Sequence, residues 1–454
     1  MSTYKAYIFK ISEINEHSNA DRLALINCYG EQVIISKDTN VGDIGIYFPS
    51  EGQLSHELCY HNNMYSTSEL NKDTTKKGYF GKNRRIKPTR FRGEKSEGLW
   101  LPMSYFSFID YSLEIKSLVH GTELTSLGGV EIVKKYVPRA QGSGKSRGVS
   151  KSKVREARVP TFKEHFQTEH YFRNNQNLDQ YIGSLVFITE KLHGTSGRCG
   201  NLLATEAPKW YHKLPFMKPK QDYKFTVGSR KVVKSIDGES NNGNHWYGHD
   251  LWSIVSEKTF KDKLRKGETV YFEIVGYDNE NRLIMGSHSN EKLKRFLNKD
   301  EYDKLITKYG NTTEFTYGCS PEHCKVFVYR ITMTNEEGYS IDLSMQQIQQ
   351  RCKELNVPSV PVLLHGMIDY NGNYIAIGQG EEGTKAKVFD LNKVVEYATD
   401  AESDVFPNHL KEGICVRIEN GDAKPIILKN KSFIFKVLEG IIKEPSIEDI
   451  ESAE

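Results

Sequence analysis

The chain has 454 residues, 37% of them hydrophobic and 11% aromatic, which points to two or three packed domains and excludes a disordered polyelectrolyte. Its 62 basic and 59 acidic residues leave a formal charge of +3 at pH 7, so any affinity for a polyanion must come from local clustering. No run reaches the ~18–20 apolar residues of a membrane span, and the opening residues, Met1 to Ile8, have the pattern of a strand rather than a signal peptide. Seven cysteines, odd in number and thinly spread, do not form a disulfide framework, and the expectation is a cytoplasmic protein with reduced thiols.

In chain order, residues 4–11, 23–28, 32–36 and 44–48 read as short strands broken by Gly30-Glu31 and Val41-Gly42-Asp43. Strands so short and so spaced predict a small Greek-key barrel over residues 1–110. The end of this region is basic, with Lys87, Arg90 and Arg92 among its cations and Tyr79, Phe80 and Phe91 interleaved. Cations that neutralise phosphates beside rings that stack on bases suit a nucleic-acid surface, although a solvated loop has the same composition. Residues 111–161 are expected to form a basic, Gly/Ser-rich linker. Within it, Gln141-Gly142-Ser143-Gly144-Lys145-Ser146 lacks the glycine spacing and the leading strand of a phosphate-cradling loop.

From 162 to 445 the pattern is mixed α/β, with strands expected at 185–190, 270–275, 325–332, 414–418 and 426–429 and helices at 291–308 and 345–355. Residues 446–454 form an acidic tail. Cys319, His323 and Cys324 resemble half a zinc site, but no second ligand pair follows at a suitable spacing.

The chemistry centres on Glu190-Lys191-Leu192-His193-Gly194-Thr195. A lysine that attacks phosphorus must lose its proton, so its pKa must fall below the ordinary value of ~10.4, and nearby cations or partial burial achieve that. Lys429 and Lys431, two apart at the end of a β-rich run, face the same way and supply such cations; alone, the pair could equally blunt a sheet edge. Glu273 sits inside an apolar strand, and Glu412 heads another. Two such acids suit a divalent metal and ribose hydroxyls. Phe327 and Tyr329, alternating on one strand, supply an aromatic wall or ordinary core packing.

Taken in order, Glu-Lys-x-His-Gly-Thr, Gly228-Ser229-Arg230, Glu273-x-x-Gly276, the aromatic strand, Glu412-Gly413 and Lys429-x-Lys431 resemble the covalent nucleotidyltransferase superfamily of DNA ligases, RNA ligases and capping enzymes. His193, where DNA ligases and capping enzymes usually carry Asp, resembles the phage RNA ligase 2 branch. Asn19-Ala20-Asp21-Arg22-Leu23, Val41-Gly42-Asp43 and the stretch from Arg84-Arg85 to Leu101-Pro102 resemble the N-terminal OB module of Deinococcus-type RNA ligases.

The resemblance implies an α+β protein: an OB-like barrel followed by an ATP-grasp-like nucleotidyltransferase domain on antiparallel sheets. It implies ATP and Mg2+ or Mn2+ as cofactors, and as partner an RNA or RNA-containing duplex with 3′-hydroxyl and 5′-phosphate ends, sealed at nicks as in RNA repair. No obligate protein partner is expected. Lys191 would carry AMP, while Lys429 and Lys431 would neutralise the α-phosphate. Glu412 would place the metal, and Glu273 would hold the ribose and assist the metal. Glu190, His193 and Gly194 would lie in the nucleotide pocket, and Phe327 or Tyr329 would stack on adenine. Ser229 and Arg230 would meet the nucleic acid. Ser196 departs from the asparagine usual in the phage branch. A DNA ligase or GTP-using capping enzyme, and a non-catalytic RNA-binding protein, remain the alternatives.

Overall fold

The computed structural model describes residues 4–137, 159–175, 178–206, 219–240, 249–377 and 387–441. Residues 138–158 of the expected linker, including its glycine-rich loop, and the acidic tail lie outside these residues. The described chain forms two compact units, one within Met1–Arg139, Asn290–Asn311 and Phe433–Glu444, the other within Ala140–Ser289 and Thr312–Ser432.

The first unit holds a four-stranded antiparallel sheet in the order Glu123–Leu124, Ala6–Lys10, Ile44–Pro49, Gly98–Pro102, and a three-stranded sheet of Asn15–Glu16, Leu23–Cys28 and Glu31–Ser36. Tyr29 and Gly30, both at positive φ, make the tight hairpin between the last two strands. Phe9, Ile26, Val33, Tyr47 and Trp100, drawn from both sheets, share one core. Alternate residues of the central strand, Ile46 and Phe48, enter a second core on the other face. No ladder joins the two sheets among the described residues, so hydrogen bonding does not close the expected barrel.

The expected boundaries also move. Ile132 and Val133 are fully buried, and Val133 pairs with Leu54, so the supposed linker contributes strands to this unit. The helix expected over 291–308 is a 3-10 turn at Asn290–Arg295 followed by an α-helix at Lys299–Tyr309, restarted by a capping box of Asn298 and Glu301. Both belong to the first unit, as does the helix Phe433–Ile441. Lys436 of that helix reaches the buried carboxylates of Glu31 at 2.9 Å and Glu97 at 2.7 Å. The Tyr47 hydroxyl donates to the other oxygen of Glu31.

The second unit is built on two seven-stranded sheets. One runs Glu169–His170, Ile426–Lys431, Gly413–Glu419, Leu185–Lys191, Val362–Ile368, Tyr374–Ala376, Val388–Phe389, antiparallel except for its first pair. The other runs Glu239–Ser240, Val233–Ile236, Gln221–Ser229, Thr195–Thr205, Glu268–Gly276, Cys324–Thr334, Ser340–Asp342, antiparallel throughout. The strand Glu268–Gly276 is buried at every position, which explains its almost unbroken apolar run. Helix Leu251–Phe260 covers the second sheet, with Trp252 donating to the Ser196 carbonyl at 2.9 Å, and the Phe272 ring, with Trp252 beside it, fills the space that Gly197 leaves. Helix Met345–Leu355 begins at a Ser344/Gln347 capping box and ends on Asn356 in the left-handed conformation. No described helix is long and apolar enough to cross a membrane.

Candidate active site

The strand Leu185–Lys191 ends on its lysine, and the chain crosses through Leu192, His193 and Gly194 into the second sheet at Thr195. The turn runs close to the strand Glu268–Gly276. A Cβ on Gly194 would strike the Ile274 carbonyl and stand 2.8 Å from the Glu273 and Val275 side chains. Glycine is therefore needed there for the approach of two backbones.

Lys191 is in register with Gly413, and Gly413 with Lys431, so the three form one rank across adjacent strands. The central position carries no side chain, and a Cβ there would strike the Asn430 carbonyl. The carboxylate of Glu412, one residue earlier, serves both lysines. Its Oε1 lies 2.7 Å from Lys191 Nζ and 3.3 Å from Lys431 Nζ, while Oε2 faces His193 Nδ1 at 3.6 Å. Burial alone would raise the Glu412 carboxyl, but the two ammonium groups and His193 more than offset it and hold its pKa well below the usual carboxylate range. Glu412 Oε2 is buried and has no hydrogen-bond partner.

Lys429 is in register with Cys415 and, two residues from Lys431, shares its face of the sheet. Burial pushes the Cys415 thiol up to about 11, against the opposing charges of Lys191 and Lys429. Lys191 and Lys431 thus meet at Glu412, with Lys429 on the same face of the sheet as Lys431. Among the described residues no group of three or more metal-ligating side chains forms. A divalent cation here would rest on Glu412 and on oxygens of nucleotide and water, a common arrangement for Mg2+. The buried Oε2 of Glu412, which faces His193 at 3.6 Å, fits that role.

Glu273 lies on the second sheet, opposite Ser196 in the ladder, and accepts from the Ser196 hydroxyl at 2.8 Å. The doubtful serine thus orients the acid expected to hold a sugar. Phe327 pairs with Glu273 in register, but the next pairs are Phe272 with Val328 and Tyr271 with Arg330. Tyr329 is the extra residue of a bulge, so the expected simple alternation of Phe327 and Tyr329 breaks down. Burial raises the Tyr329 phenol, as does the Glu273 charge, with Arg230 and Ser196 opposing.

Three expected site residues have other duties. Glu190 accepts from the Ser403 hydroxyl at 2.5 Å and the Asp404 amide at 2.8 Å, so both its oxygens hold a loop rather than a nucleotide. Alternation along the strand explains this, since Glu190 faces away from Lys191. Ser229 is fully buried, its hydroxyl accepting from the Val232 amide at 3.3 Å, which makes it a turn former and not a nucleic-acid contact. Arg90, in the first unit, donates to the Phe296 carbonyl at 2.5 Å and grips the Glu301 carboxylate with Nη2 at 2.9 and 3.2 Å. Its guanidinium is committed to the fold, whereas Lys87 is exposed and Arg92 projects at the tip of a hairpin.

Sequence reasoning missed several residues. Arg198, 2% exposed, donates to the carbonyls of Arg230 at 3.0 Å and Lys231 at 3.3 Å and so fixes the turn that presents Arg230. Beside His193 stand Phe315, edge-on with ring centroids at 4.7 Å, and the buried pair Tyr317 and His409. Only Gly318, which hints at a turn, could have drawn attention to this loop. Burial pushes the His409 imidazole down to about 4, so it stays neutral where an unfolded histidine of ~6.5 would protonate. Stability is therefore expected to fall as pH drops from about 6.5 toward about 4, by roughly 3 kcal/mol for this group. Urea unfolding at stepped pH measures it; a His409→Gln variant with the same acid slope would refute it.

No family model and no curated protein matches the sequence. Solved structures do. A Naegleria gruberi RNA ligase variant with ATP and Mn is similar at 16% identity and a TM-score of 0.52, over 96% of this chain and 98% of that one. The same ligase with PPi matches at 17% and 0.52 over 94% and 96%, and a variant with AMP and Mn at 17% and 0.52 over 95% and 97%. Along nearly its whole length, this chain has the fold of those RNA ligase structures.

Proposed function

We propose that the protein is an ATP-dependent RNA ligase. The observation that carries the reading is the convergence of Lys191, Lys431 and His193 on the buried carboxylate of Glu412, within a fold shared with RNA ligases. Order supports it too. The neighbour's variants replace a lysine, an aspartate two places on, a glutamate, a second glutamate and a second lysine. The succession here is Lys191, Glu273, Glu412 and Lys431, with His193 standing two places after Lys191 where the neighbour has its aspartate.

In the first step the Lys191 amine attacks the α-phosphorus of ATP. The Nζ–P bond forms, the bond to the bridging oxygen breaks, pyrophosphate leaves and the amine gives up its proton. The pair with Glu412 favours the charged lysine, so this carboxylate must find another cation before Lys191 can act. A divalent cation bound at Glu412 would supply that charge and help neutralise the phosphates. Lys429 and Lys431 stabilise the charge that grows on the α-phosphate. Glu273, oriented by Ser196, takes the ribose hydroxyls, with Phe327 or Tyr329 against the base.

AMP then passes to a 5′-phosphate end, and a 3′-hydroxyl RNA end displaces it to seal the strand, with nicked duplexes as the favoured substrate. The first unit, read as an OB-like module of the Deinococcus type, offers Lys87 and Arg92 to the nucleic acid. Incubation with ATP labelled at the α-phosphate should label the protein covalently, and label at the γ-phosphate should not. Nicks with RNA on the 3′-hydroxyl side should be sealed and all-DNA nicks should not. Labelling by GTP alone, or equal sealing of DNA, would replace this reading with a capping enzyme or a DNA ligase. RNA binding without any adduct would replace it with a non-catalytic one.

A further inference from the structure

Tyr317 has no place in the chemistry above, yet three observations single it out. It is 1% exposed, and its hydroxyl accepts a hydrogen bond from the His193 amide at 2.6 Å. Its backbone is left-handed, with φ at +50°, and Gly318 follows at +68°. For glycine that conformation is ordinary, but for a buried tyrosine it is strained and persists only where the surroundings over-determine it. Finally, the ring stands edge-on to His409, with centroids 4.4 Å apart at 77°, and Lys325 Nζ donates to the Tyr317 carbonyl at 3.2 Å. Ring and main chain are both held, so the position of the hydroxyl is set from outside the turn it bonds.

That turn is the link between the two sheets. His193 belongs to neither ladder: the strand before it ends on Lys191, and the strand after it begins at Thr195. Its amide needs a partner from elsewhere, and buried amides are rarely left without one. The bond to Tyr317 fixes the plane between Leu192 and His193, and hence the direction in which Lys191 leaves its strand and the His193 ring faces Glu412. A nucleophile gains from such fixing, because a misplacement of about 1 Å can cost on the order of a hundredfold in rate.

We propose that Tyr317 is a positioning residue for the adenylylation step, its hydroxyl holding the turn that aims Lys191 and His193. This rests on the proposed ligase function and assigns a residue that acts through others, without touching ATP.

The test uses the full chain and the Tyr317→Phe variant, which keeps the ring against His409 and removes only the acceptor. Single-turnover formation of the labelled protein is measured across ATP concentrations. In parallel, each protein is given a nick whose 5′ end already carries AMP, a reaction that needs no attack by Lys191. The expected result is a ten- to hundredfold drop in the rate of adduct formation at saturating ATP. The half-saturating ATP concentration and the sealing of the pre-adenylylated nick should both stay within about threefold. Unchanged adduct formation, a loss confined to half-saturation, or an equal loss in both reactions would overturn the proposal, the last marking a merely structural tyrosine. A wild-type protein that takes no label would overturn the ligase reading itself, and the role of Tyr317 with it.

Discussion

Replacing Lys191 with alanine is expected to erase covalent labelling by α-labelled ATP, a loss of at least ~10⁴-fold, because no other group can form the covalent bond. Its neighbours cannot substitute. Lys431 shares the same carboxylate, 3.3 Å away, but stands two strands across the sheet from the strand that leads into the turn. Lys191→Arg should fail equally, since a guanidinium keeps its charge and cannot offer a lone pair. Both variants should still seal a pre-adenylylated nick, since that step uses AMP as leaving group and does not need the lysine nucleophile. Persistent labelling of the alanine variant would show that the nucleophile lies elsewhere.

The largest stability effect is expected far from this chemistry, at Lys436. Its ammonium stands between Glu31 and Glu97, whose side chains are only 3% and 4% exposed. The two carboxylates raise its pKa well above the usual lysine value despite the cost of burial. The stabilisation is therefore present below about pH 10.4 as long as the two carboxylates are ionised, and it fades as the folded lysine titrates in strong alkali. Lys436→Met keeps the volume and leaves two buried carboxylates without their cation, which should cost about 3–5 kcal/mol in urea unfolding of the full chain. Adding Glu31→Gln and Glu97→Gln should recover much of that loss, as the stranded charge is the main penalty. A single variant as stable as wild type would show that the triad contributes little.

What could be read from the sequence follows physical lines. The strands around Lys191, Glu273, Glu412 and Lys429 were legible because an apolar run between turn residues has few other solutions. The convergence of Lys191 and Lys431 on Glu412 was legible as residue types in order, and the registers of the first sheet bring them together. Other features depend on partners that no local pattern reveals. Arg90 looked like a phosphate contact because Glu301, which holds it, is 211 residues away. The bulge at Tyr329 is a matter of register, which hydrophobic alternation leaves open by one residue. Tyr317 carried no signal at all: its importance lies in a left-handed φ and a bond to an amide 124 residues earlier.

The first unit draws its residues from three separated stretches of the chain, and this constrains how it is made. A ribosome adds about 5–20 residues per second, and the N-terminal strands emerge early. The helix bearing Lys436 follows roughly 300 residues later, after an interval on the order of 15–60 s. Throughout that time the nascent sheets carry Glu31 and Glu97 without Lys436, and for roughly the first half of it they also lack the helical segment whose Glu301 anchors Arg90. The first unit is thus completed only by the helix that bears Lys436, so a chain in which this unit is whole has already synthesised the segments that carry Lys191, Lys429 and Lys431.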